Sequence, residues 1–150
     1  MLTAADVTAA RERIRGHIRT TPLIQAAPAS LTVASAEGTA SAVWFKLEQL
    51  QHTGSFKARG AFNRILAAAD DGQLTEAGVV AASGGNAGLA VAHAAARQGV
   101  PARVYVPETA PVVKRAKLAE LGATVVATGT KYADAYDAAT ADVAETGALF

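Results

Sequence analysis

From residue 56 onward, short apolar runs alternate with segments of helical length, and this alternation limits the chain to very few architectures. The periodicity predicts helices over Phe56 to Ala69, Asn86 to Gln98, Pro111 to Leu121 and Lys131 to Glu145. Between them it predicts strands at Val79–Ala82, Arg103–Val106 and Thr124–Ala127. Strands joined through helices must run parallel, so the expected fold class is α/β, a parallel sheet flanked by helices. Gly99, Gly122 and Gly147 stand at helix exits, where a left-handed cap is favoured. Ala148-Leu149-Phe150 reads as the opening of a further strand.

The N-terminal part is less regular. Thr3, with Asp6 three residues on, is a candidate N-cap for an amphipathic helix carrying Val7, Ala10 and Ile14 before Gly16. Thr21-Pro22-Leu23 calls for extended backbone, because a residue before proline is pushed out of the helical region. The Ala-, Ser- and Gly-rich stretch from Ala26 to Ser41 is expected to form a helix followed by a turn, and Ala42 to Leu47 a strand.

With 51% hydrophobic and 18% charged residues, such a chain can bury a core. Its formal net charge of +1 gives no field to attract nucleic acid or an anionic membrane, so a charged ligand must be recognised locally. Cysteine is absent, which removes disulfides, thiol nucleophiles and thiolate metal ligands. No apolar run has the length of a signal peptide or a membrane span, and the expected location is the cytoplasm. His17 and His52 are expected at the surface and His93 packed within its helix, without a shared constellation. Lys114, Arg115 and Lys117 read as a solvated face, and Tyr132 with Tyr136 as packing. No cluster has metal-ligand spacing.

Two loops have the composition of binding elements. In Thr53-Gly54-Ser55-Phe56-Lys57-Ala58-Arg59-Gly60, serine is a good cap, which places Lys57 in the first turn of the next helix. The helix dipole disfavours a cation there, and such a potential, together with desolvation, favours the neutral amine that covalent chemistry requires. An ordinary exposed lysine fits the same local pattern. In Ala82-Ser83-Gly84-Gly85-Asn86-Ala87-Gly88, glycines allow close backbone approach, and a helix N-terminus follows a parallel strand. That is an anion cradle at the carboxyl end of a sheet, though a tight structural turn would look alike. The glycine spacing matches neither a dinucleotide fingerprint nor a P-loop.

Taken together, Ser55-Phe56-Lys57-Ala58-Arg59-Gly60-Ala61 and Ser83-Gly84-Gly85-Asn86, with Asn86 lying 29 residues after Lys57, resemble the fold-type II pyridoxal-phosphate enzymes. The likeness is to their threonine/serine dehydratase branch. Arg19-Thr20-Thr21-Pro22-Leu23, Phe45-Lys46-Leu47-Glu48 and Val106-Pro107-Glu108-Thr109-Ala110-Pro111 extend it across the chain.

The resemblance implies a tryptophan synthase β-like fold, with residues 1–47 the arm of a large cofactor domain and residues 48–150 a small αβ domain. The remainder of the large domain would lie outside the chain. It implies pyridoxal 5'-phosphate on Lys57 as a Schiff base, with Lys57 also the base at the substrate Cα. Phe56 would lie against the ring, Asn86 would bond its phenolic oxygen, and Ser83, Gly84, Gly85, Asn86 and Ala87 would take the substrate carboxylate. The implied reaction is loss of water from L-threonine or L-serine, giving a 2-oxo acid and ammonia. The implied partners are a small amino-acid substrate and further copies of the chain, as a dimer or tetramer. Racemases of the group carry serine where Gly84 stands, and threonine synthases favour aspartate where Ala58 stands, which favours elimination. The alternatives are serine racemase or threonine synthase, or an inactive anion-binding fragment.

Overall fold

In the computed structural model the described residues are 1–26, 33–34 and 40–150. Thr3 caps helix α1 (Ala4–Arg13) with a complete capping box, Asp6 N–H donating to its hydroxyl and its own N–H donating to Asp6. The predicted amphipathic face is weak: Val7 is exposed, and of the three apolar positions only Ile14 is buried. The chain then enters strand β1 (Leu23–Gln25) after Pro22.

Strands β2 (Val33–Ala34) and β3 (Ala40–Ser41) pair antiparallel, which corrects the expectation of a helix through them. The rest of that predicted helix and turn lies outside the described residues. Strand β4 (Trp44–Lys46) returns antiparallel to β1, with Ile24 opposite Phe45. Every residue of this β1–β4 ribbon is exposed. Two 3₁₀ turns, Glu48–Leu50 and His52–Gly54, lead into helix α2 (Lys57–Asp70).

The regular part follows the predicted alternation. Strand β5 (Val79–Ala82), helix α3 (Asn86–Gln98), strand β6 (Ala102–Val106), helix α4 (Val112–Glu120), strand β7 (Thr124–Ala127) and helix α5 (Tyr132–Thr146) succeed one another. The sheet is parallel in the order β5-β6-β7. Pro111 is the N-cap of α4 rather than a residue of its first turn. Leu149 forms a single parallel bridge to Val79 on the other side of β5, where a further strand is expected, and among the described residues no strand is formed there.

Alternating residues of the strands sort the core into two layers. Val79, Ala102, Val104 and Val106 point to the side covered by α2, α3 and α4, where Phe62, Ile65, Ala92, Ala95 and Leu118 are buried. Val80, Ala82 and Tyr105 face α5 through Ala139 and Val143. This is the period of two that a sheet covered on both faces requires. Small alanines along α3 allow it to lie close against the sheet and α2.

Candidate active site

Helices α2 and α3 pack side by side, and each passes its chain into the start of a parallel strand, α2 into β5 and α3 into β6. Their N-termini therefore point to the same end of the molecule, the carboxyl edge of the sheet. Lys57 opens α2 and Asn86 opens α3. Both are exposed, as are Phe56 and Ala87.

At α2, Ser55 is extended and its hydroxyl accepts from the Lys57 N–H at 3.4 Å, while Phe56 is already helical. The expected first-turn position of Lys57 is borne out. Its Nζ lies 4.8 Å from the centre of the Phe56 ring, and among the described residues it has no hydrogen bond or ion pair. Ala58 is fully buried, a place where a carboxylate would lose its hydration.

Helix α3 starts from Gly85 with no side-chain cap, which leaves its first-turn N–H groups open to a ligand. Ser83 is engaged differently: its Oγ accepts from the Gly85 N–H at 3.3 Å and so shapes the loop. Gly88, which the sequence reading assigned no task, is the tightest point. A Cβ there would stand 1.9 Å from the Ser83 carbonyl oxygen, so only glycine lets the first turn of α3 close beneath the loop. Gly84 is different, since a Cβ would meet Val106 Cγ1 at 3.4 Å, an ordinary contact. Packing around the Cβ position therefore does not demand glycine at position 84.

Behind the lysine loop the structure corrects the reading of the histidines as scattered. His52 stacks on His93 with ring centres 4.8 Å apart, Phe62 meets His93 edge-on at 5.8 Å, and His17 lies 5.5 Å from Phe62. His17 and His52 are half-buried rather than at the surface. Burial, with Arg19 and Arg97 nearby, lowers the pKa of His52; burial, His52 and the same arginines lower that of His93. The stack borders a cavity of about 460 Å³ that also touches Thr53, Lys117 and Glu120. Thr53 has φ of 60° and a buried hydroxyl without a partner among the described residues, and so carries backbone strain within the lysine loop. Tyr132 and Tyr136, expected to be packed, are exposed, with Tyr136 meeting Phe150 edge-on.

No helix among the described residues is long and apolar enough to cross a membrane, and no group of acidic or histidine side chains there could hold a metal ion.

Comparison with known proteins agrees with this geometry. The family model described as "Pyridoxal-phosphate dependent enzyme" matches residues 14–150. An L-threonine ammonia-lyase of Thermotoga maritima is 37% identical over all of this chain, which covers 35% of that protein. Among solved structures, a pyridoxal 5'-phosphate-dependent aspartate racemase superposes with a TM-score of 0.84 at 38% identity, over 99% of this chain and 44% of that one. A threonine deaminase from T.th. does so with a TM-score of 0.79 at 37% identity, again over 99% and 44%. The chain thus spans about a third of the length of the curated relatives it matches. With the paired helix starts and this match over nearly the whole sequence, the chain belongs to the pyridoxal-phosphate dependent enzyme family.

Proposed function

We propose that the protein eliminates water from L-threonine, L-serine or both, releasing a 2-oxo acid and ammonia. The observation that carries this reading is the pairing of an unengaged Lys57 amine with the uncapped start of α3 on one edge of the sheet. The donor set fits pyridoxal phosphate: an amine for its carbonyl carbon, an exposed ring at Phe56, and an exposed amide at Asn86 for its phenolic oxygen. When bound, the cofactor supplies an electron sink for the carbanion formed at the substrate Cα.

Lys57 would hold the cofactor through its amine, and its Nζ, as a free amine, would take the proton from the substrate Cα. The loop of Ser83, Gly84, Gly85, Asn86 and Ala87 would orient the substrate carboxylate, through its N–H groups other than that of Gly85, which donates to Ser83 Oγ, and with the help of the dipole of α3. Phe56 would lie against the cofactor ring.

The relatives named as threonine ammonia-lyases support elimination, and the buried Ala58 sets the chain apart from a threonine synthase pattern. Likeness to an aspartate racemase keeps racemisation as the second reading. Against it stands Gly84, which offers no hydroxyl to return a proton from the opposite face. Residues 1–47 would be the arm of a large cofactor domain and residues 48–150 the small domain, in a cytoplasmic dimer or tetramer.

The test uses the intact protein with pyridoxal phosphate, fixed with borohydride and mapped by peptide. The adduct is expected on Lys57, and an adduct elsewhere would refute the assignment. Release of 2-oxobutanoate from L-threonine against pyruvate from L-serine ranks the substrates, and D-serine as main product would favour the second reading.

A further inference from the structure

One ionic junction ties the lysine helix to the antiparallel ribbon. Arg59, two residues after Lys57, grips Glu48 with both prongs of its guanidinium, Nε to Oε2 and Nη2 to Oε1, each at 2.8 Å. The same Nη2 donates to Thr21 Oγ1 at 3.4 Å, and the Thr21 hydroxyl donates to Glu48 Oε1 at 2.6 Å. Lys46 stands 4.0 Å from Glu48 and donates to the Thr21 carbonyl. Thr21 lies just before β1 and Glu48 just after β4, so both ends of the ribbon converge on one guanidinium in the first turn of α2.

Location and geometry separate this junction from an ordinary surface pair. Glu48 is 17% exposed and Arg59 32%, and a two-pronged fork fixes orientation as well as distance. A fork of the same kind, Arg103 on Asp142, joins β6 to α5 on the other face of the sheet and belongs to neither loop. Besides this junction, the start of α2 is held by the burial of Ala58 and by the Ser55 hydroxyl accepting from the Lys57 N–H at 3.4 Å, neither of which fixes the lysine side chain. Its N-cap residue makes no side-chain cap, and among the described residues the Lys57 amine has no hydrogen bond or ion pair and lies over the Phe56 ring. Helix ends without such support fray.

We propose that Arg59 is a positioning residue for Lys57, its guanidinium held by Glu48 and Thr21 so that the first turn of α2, and with it the lysine amine, keeps one place relative to the ribbon. The inference rests on the reading of Lys57 as the cofactor lysine. It also gives a task to an arginine for which the sequence alone offers none.

The experiment measures the fraction of Lys57 modified against pyridoxal phosphate concentration, after borohydride fixation, in the intact protein and at a temperature where circular dichroism shows each variant folded. In Arg59→Met the concentration for half-modification is expected to rise about tenfold, since a small misplacement of a reacting group is felt strongly. Arg59→Lys, which keeps the charge without the fork, is expected to fall between. Thr21→Val removes one hydroxyl only and serves if Arg59→Met does not fold; a rise of a few-fold is expected there. Variants that melt earlier yet modify Lys57 at wild-type concentrations would overturn the inference and leave the junction merely structural. Absence of modification at Lys57 in the unaltered protein would overturn the cofactor reading and this inference with it.

Discussion

The start of α2 and the start of α3 face the same edge of the sheet but are held there by different means. At α3 the chain holds itself: Ser83 shapes the loop through the Gly85 N–H, and Gly88 closes under the Ser83 carbonyl with no room for a side chain. At α2 the hold comes from distant segments, through Arg59, Glu48 and Thr21 and through the stack of His52 on His93. The first start resists change by sterics, the second by charge. Conditions that alter protonation should therefore reach Lys57 and spare the Ser83 loop.

The largest effect is expected where sterics rule. Gly88→Ala would drive a methyl into backbone that cannot move without displacing the loop, and a loss of about 3 kcal/mol is expected from urea unfolding. A loss below about 1 kcal/mol would mean that the loop yields, and the contrast between the two starts would be weaker than described.

The next effect comes from acid. Hydrogen bonding from Arg59 outweighs burial and, with Thr21, Lys46 and the arginine charge, brings Glu48 from 4.5 to about 2. Its depressed pKa stabilises the fold fully above about pH 4.5, and that stability is lost as pH falls toward 2. The loss is expected to be on the order of 2 kcal/mol, and Glu48→Gln should remove this part of the acid dependence in a pH series of melting curves. An unchanged series in the variant would show that another carboxylate carries it.

A smaller effect lies nearer neutrality. His52 and His93 are both lowered by burial, with Arg19 and Arg97 nearby; the cavity beside them is lined by Arg19 and Lys117 and, among its described lining residues, by Glu120 as the one of opposite sign. The neutral pair fits the fold, so stability present above the ordinary histidine value of 6.5 declines as pH falls through the lowered values. His93→Phe, which keeps a ring between His52 and Phe62, is expected to flatten that decline in the melting temperature. A slope kept in the variant would place the titration elsewhere.

The smallest change is expected at Thr53. Thr53→Gly relieves the left-handed backbone and removes the partnerless hydroxyl, at the expense of a more flexible unfolded chain, so a net gain below about 1 kcal/mol is expected. A net loss would show that the hydroxyl has a role in the loop.

The same contrast explains what the sequence disclosed. The bounds of β5, α3 and β7 were legible because glycine, proline and apolar period punctuate them locally. The Ser83 loop was legible for the same reason, being built from adjacent residues. The hold on α2 was not. Thr21, Glu48 and Arg59 meet across 38 residues, and His17, Phe62, His93 and His52 across more, with no local pattern to announce them. The helix expected near residues 26–41 fails at Val33–Ala34 and Ala40–Ser41, because alanine and serine are permissive and strand pairing overrides their preference.

The bridge from Leu149 to Val79 has a topological consequence. It puts β5 between two neighbours, with β6 on one side and the bridged Leu149 on the other. The crossovers through α3 and α4 cover one face, the crossover through α5 covers the other, and the winding reverses beside β5. In a doubly wound sheet, the loops leaving the strands at such a reversal part to opposite faces and leave a crevice that no side chain need carve. The Ser83 loop leaves β5 beside that reversal, so it stands at the place where the winding of such a sheet favours ligand binding, before any side chain is considered.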